Sequence, residues 1–144
     1  MSWTRKFLLV AGLSVSAVST VSADVRILGS PGGLVGPFVE TFERLRQSGE
    51  RVIIDGPCYS ACTLVLSMLP RHQICVTRRT VFGFHGARLL HEDGRLRPEP
   101  RASRFVLQTY PPDVRRWIQR RGGLSSRLLL LRGRELAAMF PNCR

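Results

Sequence analysis

Short apolar segments alternate along this chain with glycine-rich turns and with segments of helical periodicity, and this alternation most restricts its fold. Residues 25–28, 51–54 and 74–76 are apolar-rich, short and bounded by glycine, proline or polar residues, which is typical of strands. Between the first two, apolar side chains recur at helical spacing from Leu34 to Leu45, with Pro37 in the first turn and Gly49 after the end. The pattern predicts an α/β fold whose sheet is mainly parallel and buried on both faces.

The rest of the chain continues the pattern with weaker signals. Residues 60–69 are almost wholly apolar and predict a buried helix that Pro70 stops. Strands are predicted at 81–84 and 128–131, and helices at 103–109, from Pro112 or Asp113 to Gly122, and at 134–140. Residues 86–101 contain charges, glycine and two prolines and predict a long exposed loop.

The N-terminal residues predict export. Arg5 and Lys6 precede an apolar run at 7–18, and Val21 and Ala23 fit the positions before a signal-peptide cleavage site. A membrane anchor is the alternative, but a crossing helix needs about 20 apolar residues. We therefore expect a signal peptide at 1–23, a single domain at 24–144, no membrane span after cleavage, and a periplasmic or secreted location.

Export makes disulfides plausible for the four cysteines, Cys58, Cys62, Cys75 and Cys143. Three pairings are possible, and the sequence slightly favours Cys75 with Cys143 and Cys58 with Cys62. The competing interpretation is a zinc site. The cysteines lack the close Cys-x-x-Cys spacing of structural zinc, so no metal is expected, and no cofactor is expected either.

The charge is strongly basic. Lys+Arg is 22 against Asp+Glu 10, for a net charge of +12, and every cation except Lys6 is arginine. A binder of anionic polymers would carry these charges as one stripe. The arginines are instead spread over the chain, so nucleic-acid binding is not expected.

Three short motifs carry candidate chemistry. Ser30-Pro31-Gly32-Gly33 lies between a strand and a helix, where glycines let N–H groups approach a ligand, although an ordinary turn explains it as well. Ser60 stands at a strand–helix junction with the N–H of Ala61 beside it, and it could equally cap the helix. His85 follows strand 81–84, where α/β folds often place functional groups, although a single histidine is often only a surface residue.

In this order and spacing, Ser-Pro-Gly-Gly, Gly-x-x-x-Ser-x-Cys before an apolar helix, and a strand ending in Phe-His resemble the Clp protease proteolytic subunit. They resemble still more closely small exported bacterial proteins with Cys-x-Ser-Ala-Cys around the serine. The resemblance covers residues 25–85, with a weaker echo at 132–140. It implies the Clp/crotonase fold of stacked ββα units, Ser60 as nucleophile and His85 as general base. It also implies an oxyanion hole made by Ala61 with Gly33 or Gly32.

The chain departs from that family in two ways. The family's third catalytic residue is an aspartate near residues 125–128, where this chain has no acid, and Asp113 is the preferred substitute. The first unit of the family fold is also lacking after the predicted cleavage site, so a partner chain, as in a homo-oligomer, would cover the sheet edge.

Two functions follow as hypotheses. The first is an exported serine hydrolase, a peptidase that acts on short peptides or unfolded protein through a Ser60–His85 dyad or an incomplete triad. The alternative is an inactive Clp-like fold that binds peptide or serves as a structural module in the periplasm.

Overall fold

A computed structural model describes residues 23–143, so the predicted signal peptide lies, except for Ala23, outside the described residues. Within them the strands are β1 (Val25–Ile27), β2 (Val52–Ile54), β3 (Pro57–Tyr59), β4 (Ile74–Val76), β5 (Val81–Phe84), β6 (Arg88–Leu90), β7 (Leu96–Pro98) and β8 (Leu129–Leu131). The α-helices are α1 (Val35–Ser48), α2 (Val65–Met68), α3 (Pro100–Thr109), α4 (Pro112–Gln119) and α5 (Gly133–Ala137). This part of the chain is a mixed α/β structure with small sheets.

The first sheet is parallel and has the order β1-β2-β4. The helix α1 connects β1 to β2 and buries Phe42 and Leu45. It ends at Gly49, whose left-handed backbone (φ 71°) lets its N–H donate to the Leu45 carbonyl. All residues of β2 and β4 are buried, as the apolar segments predict.

The strands are divided between two main sheets, and the second has the order β3-β5-β8. Pairing is mainly parallel within the two sheets, as predicted, but one continuous sheet is not formed. β3 is parallel to β5, whereas β8 is antiparallel to β5. On the other side of β3, Ser30 forms a parallel bridge to Cys58: the Ser30 N–H donates to the Pro57 carbonyl at 2.8 Å, and the Tyr59 N–H donates to the Ser30 carbonyl at 2.9 Å. The glycine-rich turn after Ser30 is thereby held against the segment that carries Ser60.

Two further predictions need correction. Residues 86–101 are not one long loop, because β6 and β7 pair as an exposed antiparallel hairpin, and the many charges there hide the alternation of strands. The predicted helix at 60–69 is buried, but it consists of a 3₁₀ helix (Ser60–Leu64) followed by the short α2. Tighter 3₁₀ turns are common at helix ends.

The core joins the second sheet to α4. Phe84 lies in the middle of an aromatic cluster, with ring centroids 5.2 Å from Tyr110 and 6.0 Å from Trp117. Val114, Trp117 and Ile118 form the buried face of α4, as the helical spacing predicts. β5 is therefore fixed from one side by aromatic packing, and the residue that follows it is His85.

Both disulfides have the pairing that the sequence slightly favours. Cys58 and Cys62 are bonded at 2.06 Å and Cys75 and Cys143 at 2.01 Å, and no described cysteine is free. Two disulfides suit a protein of an oxidising compartment. Among the helices of residues 23–143, none is long and apolar enough to cross a bilayer.

Candidate active site

Ser60 stands at the sharp turn between β3 and the 3₁₀ helix. Its φ of 55° is the only positive value among the described residues other than glycine. A serine in this region stores strain of about 1–3 kcal/mol, and a strained strand-to-helix turn is one way in which a fold exposes a nucleophilic serine. The buried Cys58–Cys62 disulfide brackets the turn, so the backbone on both sides of Ser60 is covalently tied.

The glycine-rich turn lies directly against Ser60. A Cβ at Gly32 would come within 2.5 Å of the Ser60 Cβ and 2.7 Å of the Tyr59 carbonyl oxygen, so only glycine fits there. The Gly32 N–H donates to Ser30 Oγ at 3.2 Å. The sequence predicts Gly32 or Gly33 as an oxyanion donor in this turn. The N–H of Gly32 is already engaged by Ser30, whereas Gly33 lines the cavity described below.

His85 leaves β5 with its ring fixed by the next residue. Its Nδ1 lies 2.7 Å from the Gly86 carbonyl oxygen. A carbonyl oxygen only accepts, so Nδ1 carries the proton and Nε2 keeps its lone pair. Neutral imidazole in this tautomer has the form that a general base requires.

Ser60 and His85 line one cavity of about 430 Å³. Its wall also includes two of the predicted oxyanion residues, apolar side chains from several elements, and the cation of Arg88. The residues lining it are Gly33, Leu34, Val35, Ser60, Ala61, Thr63, Leu64, His85, Gly86, Ala87, Arg88, Leu96, Val106 and Tyr110. In this structure the Ser60 hydroxyl and the His85 ring share the cavity without a hydrogen bond between them.

Asp113, the preferred substitute for the third catalytic residue, does not line this cavity. Its Oδ1 accepts a hydrogen bond from Arg71 at 2.9 Å and another from the Val114 N–H, at the first turn of α4. Burial alone would raise the pKa of Asp113, but the hydrogen bonds from Arg71 and Val114 hold it below its usual value. The carboxylate therefore ties α4 to the segment before β4.

The segment without an acid, residues 125–128, does lie beside the histidine. The Gly86 N–H donates to the Ser125 carbonyl at 2.6 Å. Gly86 thus accepts a hydrogen bond from the His85 ring with its carbonyl oxygen and donates one to the Ser125 carbonyl with its N–H. The described residues that line the cavity include no carboxylate. The hydrogen-bond partner of His85 Nδ1 is instead the neutral carbonyl of Gly86.

Sequence reasoning missed a chain of hydroxyls behind Ser60. Thr63 Oγ1 donates to the Ser60 carbonyl at 2.6 Å and lies 2.6 Å from the Tyr110 hydroxyl. Because threonine has one hydroxyl proton, Tyr110 is the donor of the second bond. Burial raises the pKa of Tyr110 to about 12, so it stays protonated at neutral pH. Tyr110 and Thr63 lie 47 positions apart, and no local sequence signal predicts their contact.

No metal ligand set is present among the described residues: no group of three or more histidine, cysteine or acidic side chains converges there. Comparisons with protein-family models, curated proteins and solved structures found no match to this chain. They give the resemblance to the Clp proteolytic subunit no support.

Proposed function

We propose that this protein is an exported Clp-like serine hydrolase, a peptidase in which Ser60 is the nucleophile and His85 the general base. The observation that carries the proposal is the shared cavity, which brings a strained serine, a histidine of the required tautomer, and the backbone of Gly33 and Ala61 to one wall. The same proposal includes a Clp/crotonase-type fold.

In the proposed reaction, His85 Nε2 takes the proton from Ser60 Oγ as the oxygen attacks the peptide carbonyl. It later gives this proton to the leaving amine, and a water molecule then releases the acyl group by the same route. Because Ser60 and His85 are not hydrogen-bonded in the described structure, a rearrangement on substrate binding has to bring Oγ within about 3 Å of Nε2.

The oxyanion would be held by the N–H groups of Gly33 and Ala61. Gly32 is excluded because its N–H already donates to Ser30 Oγ. Ala61 lies in the first turn of the 3₁₀ helix, where the N–H groups have no acceptor within the helix. Each donor in such a site contributes about 3–4 kcal/mol to the transition state.

The Gly86 carbonyl takes the position that a carboxylate has in a complete triad. It fixes the His85 tautomer but carries no full charge to stabilise the imidazolium, and loss of the acid from a triad costs about 10⁴ in turnover. We therefore expect a slow enzyme. Its substrates would be short peptides or unfolded chains, because these can enter the cavity without first being unfolded by another protein.

A fluorophosphonate probe tests this proposal directly, because it reports on the nucleophile without knowledge of the substrate. The chain from residue 24 onward, with both disulfides formed, is expected to be labelled at Ser60. Ser60→Ala abolishes labelling and His85→Ala slows it at least about 100-fold. Ser67→Ala, which removes a hydroxyl on α2 outside the cavity, is the matched control and keeps the wild-type rate.

The second candidate function is an inactive module that binds peptide in the same cavity. The missing hydrogen bond between Ser60 and His85 and the absence of an acid in the cavity wall favour it. Absence of labelling in the folded wild-type protein, or labelling that persists in Ser60→Ala, would contradict the hydrolase function and favour the peptide-binding module.

A further inference from the structure

A second cavity adjoins the first, and its mainly apolar wall includes two arginines. It has a volume of about 340 Å³ and lies between residues 86–88, α3 and the turn at 123–126. Gly86, Ala87 and Arg88 line both cavities, so the two share one wall. A ligand that extends past His85 along this wall enters the second cavity.

Hydrogen bonds hold this shared wall in place. The Ala87 N–H donates to Ser103 Oγ at 2.9 Å, and Ser103 Oγ donates in turn to the Glu99 carbonyl at 2.9 Å. The Gly86 N–H donates to the Ser125 carbonyl. The wall is thus tied to α3 on one side and to the turn at 123–126 on the other.

Two arginines line this second cavity, Arg88 and Arg104. Neither guanidinium has an ion-pair or hydrogen-bond partner among the described residues, and no carboxylate lines the cavity. Seven arginines of the described chain have carboxylate partners, namely Arg26, Arg46, Arg51, Arg71, Arg79, Arg97 and Arg121, whereas Arg88 and Arg104 belong to the larger group that has none. Two cations without a counter-ion therefore border one preformed cavity.

We infer that the second cavity binds a carboxylate of the peptide whose acyl group occupies the first cavity. The inference rests on the proposed function and names its substrate class, namely acidic peptides. A guanidinium matches a carboxylate in planar, two-point geometry, and Arg88, which lines both cavities, connects the two subsites. The carboxylate could belong to an Asp or Glu side chain or to the C-terminus of the peptide.

Binding of three matched peptides to the Ser60→Ala variant tests the inference without turnover. One fluorescein-labelled hexapeptide is made with Gln and a C-terminal amide, with Glu and the amide, and with Gln and a free C-terminus. With the label kept at the same N-terminal position as a common background charge, fluorescence anisotropy at constant ionic strength is expected to show about tenfold tighter binding for at least one form with an added carboxylate than for the Gln amide form. The form that gains affinity identifies the source of the carboxylate.

Substitutions of single arginines then show which side chains cause the preference for the carboxylate peptide. Arg88→Gln and Arg104→Gln are each expected to remove most of the preference, measured as the ratio of the affinities for the carboxylate peptide and the neutral peptide. Arg101→Gln is the control, because Arg101 belongs to the same helix α3, is exposed and does not line the cavity. Equal loss of the preference in Arg101→Gln would assign it to the overall positive charge and overturn the inference.

The outcomes also separate this inference from the proposed function. Equal binding of all three peptides, or binding of none, overturns the carboxylate subsite even where the wild-type protein is labelled at Ser60. A carboxylate preference that depends on Arg88 and Arg104 without any labelling would make the same cavity the anion subsite of a binding module.

Discussion

At the scale of single residues, Gly32 decides whether the glycine-rich turn can approach Ser60. Its left-handed φ of 88° and the 2.5 Å approach of a built Cβ to the Ser60 Cβ both exclude any other residue. A turn that only connected a strand to a helix would not need this contact. The close approach is what brings Gly33 to the same cavity as Ser60.

Gly32→Ala is therefore expected to destabilise the fold by about 2 kcal/mol or more and to abolish labelling at Ser60. Gly36→Ala is the matched control: Gly36 lies in α1 with nothing within 4 Å of its added Cβ, so the change is neutral or stabilises by up to about 1 kcal/mol. Urea unfolding and probe labelling measure both effects. Retained labelling in Gly32→Ala would contradict the close approach.

Asp55 is a second residue with a role that its position alone does not reveal. Its carboxylate lies at the end of β2 and accepts hydrogen bonds from Arg79, Thr77 and Arg26. Hydrogen bonds from Arg79, Thr77 and Arg26 lower the pKa of Asp55 far below its ordinary value of 3.8, against the effect of burial. The carboxylate thus ties the ends of β1 and β2 to the turn before β5.

This pKa shift predicts how stability depends on pH. A carboxyl whose pKa is lower in the folded state stabilises the fold fully above its unfolded pKa, and this contribution is lost as the pH falls through that value toward the folded pKa. Below about pH 4 the urea midpoint of the wild-type protein should therefore fall. The urea midpoint of Asp55→Asn should be lower than that of the wild type at pH 7 and should decrease less below about pH 4. Asp93→Asn, which removes an exposed pair with Arg97, is the control, and an equal change of slope there would refute the assignment.

At the scale of elements, the two disulfides have different roles because they close loops of different length. Cys75–Cys143 joins residues 68 positions apart and ties the C-terminal segment to β4, where the Cys143 N–H donates to the Val76 carbonyl. Cys58–Cys62 spans 4 positions and fixes β3 to the 3₁₀ helix around Ser60. The long loop contributes mainly to stability, whereas the short one holds the reactive turn.

Replacing Cys75 and Cys143 with alanine should cost about 4 kcal/mol, and replacing Cys58 and Cys62 about 2 kcal/mol, by loop-closure entropy. Probe labelling should show the opposite order under conditions where both variants remain folded, since the second change loosens the Ser60 turn. Circular dichroism confirms folding at the labelling temperature. A greater loss of labelling in the Cys75/Cys143 variant would show that the short disulfide does not position Ser60.

At the scale of the whole molecule, the net charge of +12 makes nonspecific attraction of polyanions unavoidable. The arginines are spread from Arg26 onward, and several in the described chain are already paired with carboxylates. The charge therefore favours long-range attraction of acidic ligands rather than a dedicated nucleic-acid surface. Among the arginines without a carboxylate partner, Arg88 and Arg104 both line the second cavity.

Binding to a short DNA duplex should accordingly be weak and fall at least about 100-fold between 50 and 200 mM salt, without sequence preference. The carboxylate preference of the peptides should persist over the same range, because it depends on direct contacts in a formed cavity. Filter binding and anisotropy measure the two. DNA binding that resists 200 mM salt would instead favour a nucleic-acid function.

The sequence by itself determined the order of β1, α1, β2, β4, β5, β8 and the later helices, the strand–turn–helix context of Ser60, and the position of His85 at a strand end. It could do so because apolar period and glycine or proline boundaries are local properties. It failed at β3 and at the β6–β7 hairpin, since a three-residue strand that begins with proline has no visible period and the hairpin is exposed on both faces.

Only the tertiary structure decided what meets at the cavity. It divides strands β1 to β5 and β8 between two sheets and packs Gly32 against Ser60. It also pairs Asp113 with Arg71, and it makes the Gly86 carbonyl the hydrogen-bond partner of His85. It also brought Arg88 and Arg104 to one wall. These contacts join residues distant in the chain, and they depend on how β3, β5 and α3 pack together, which local sequence preference does not specify.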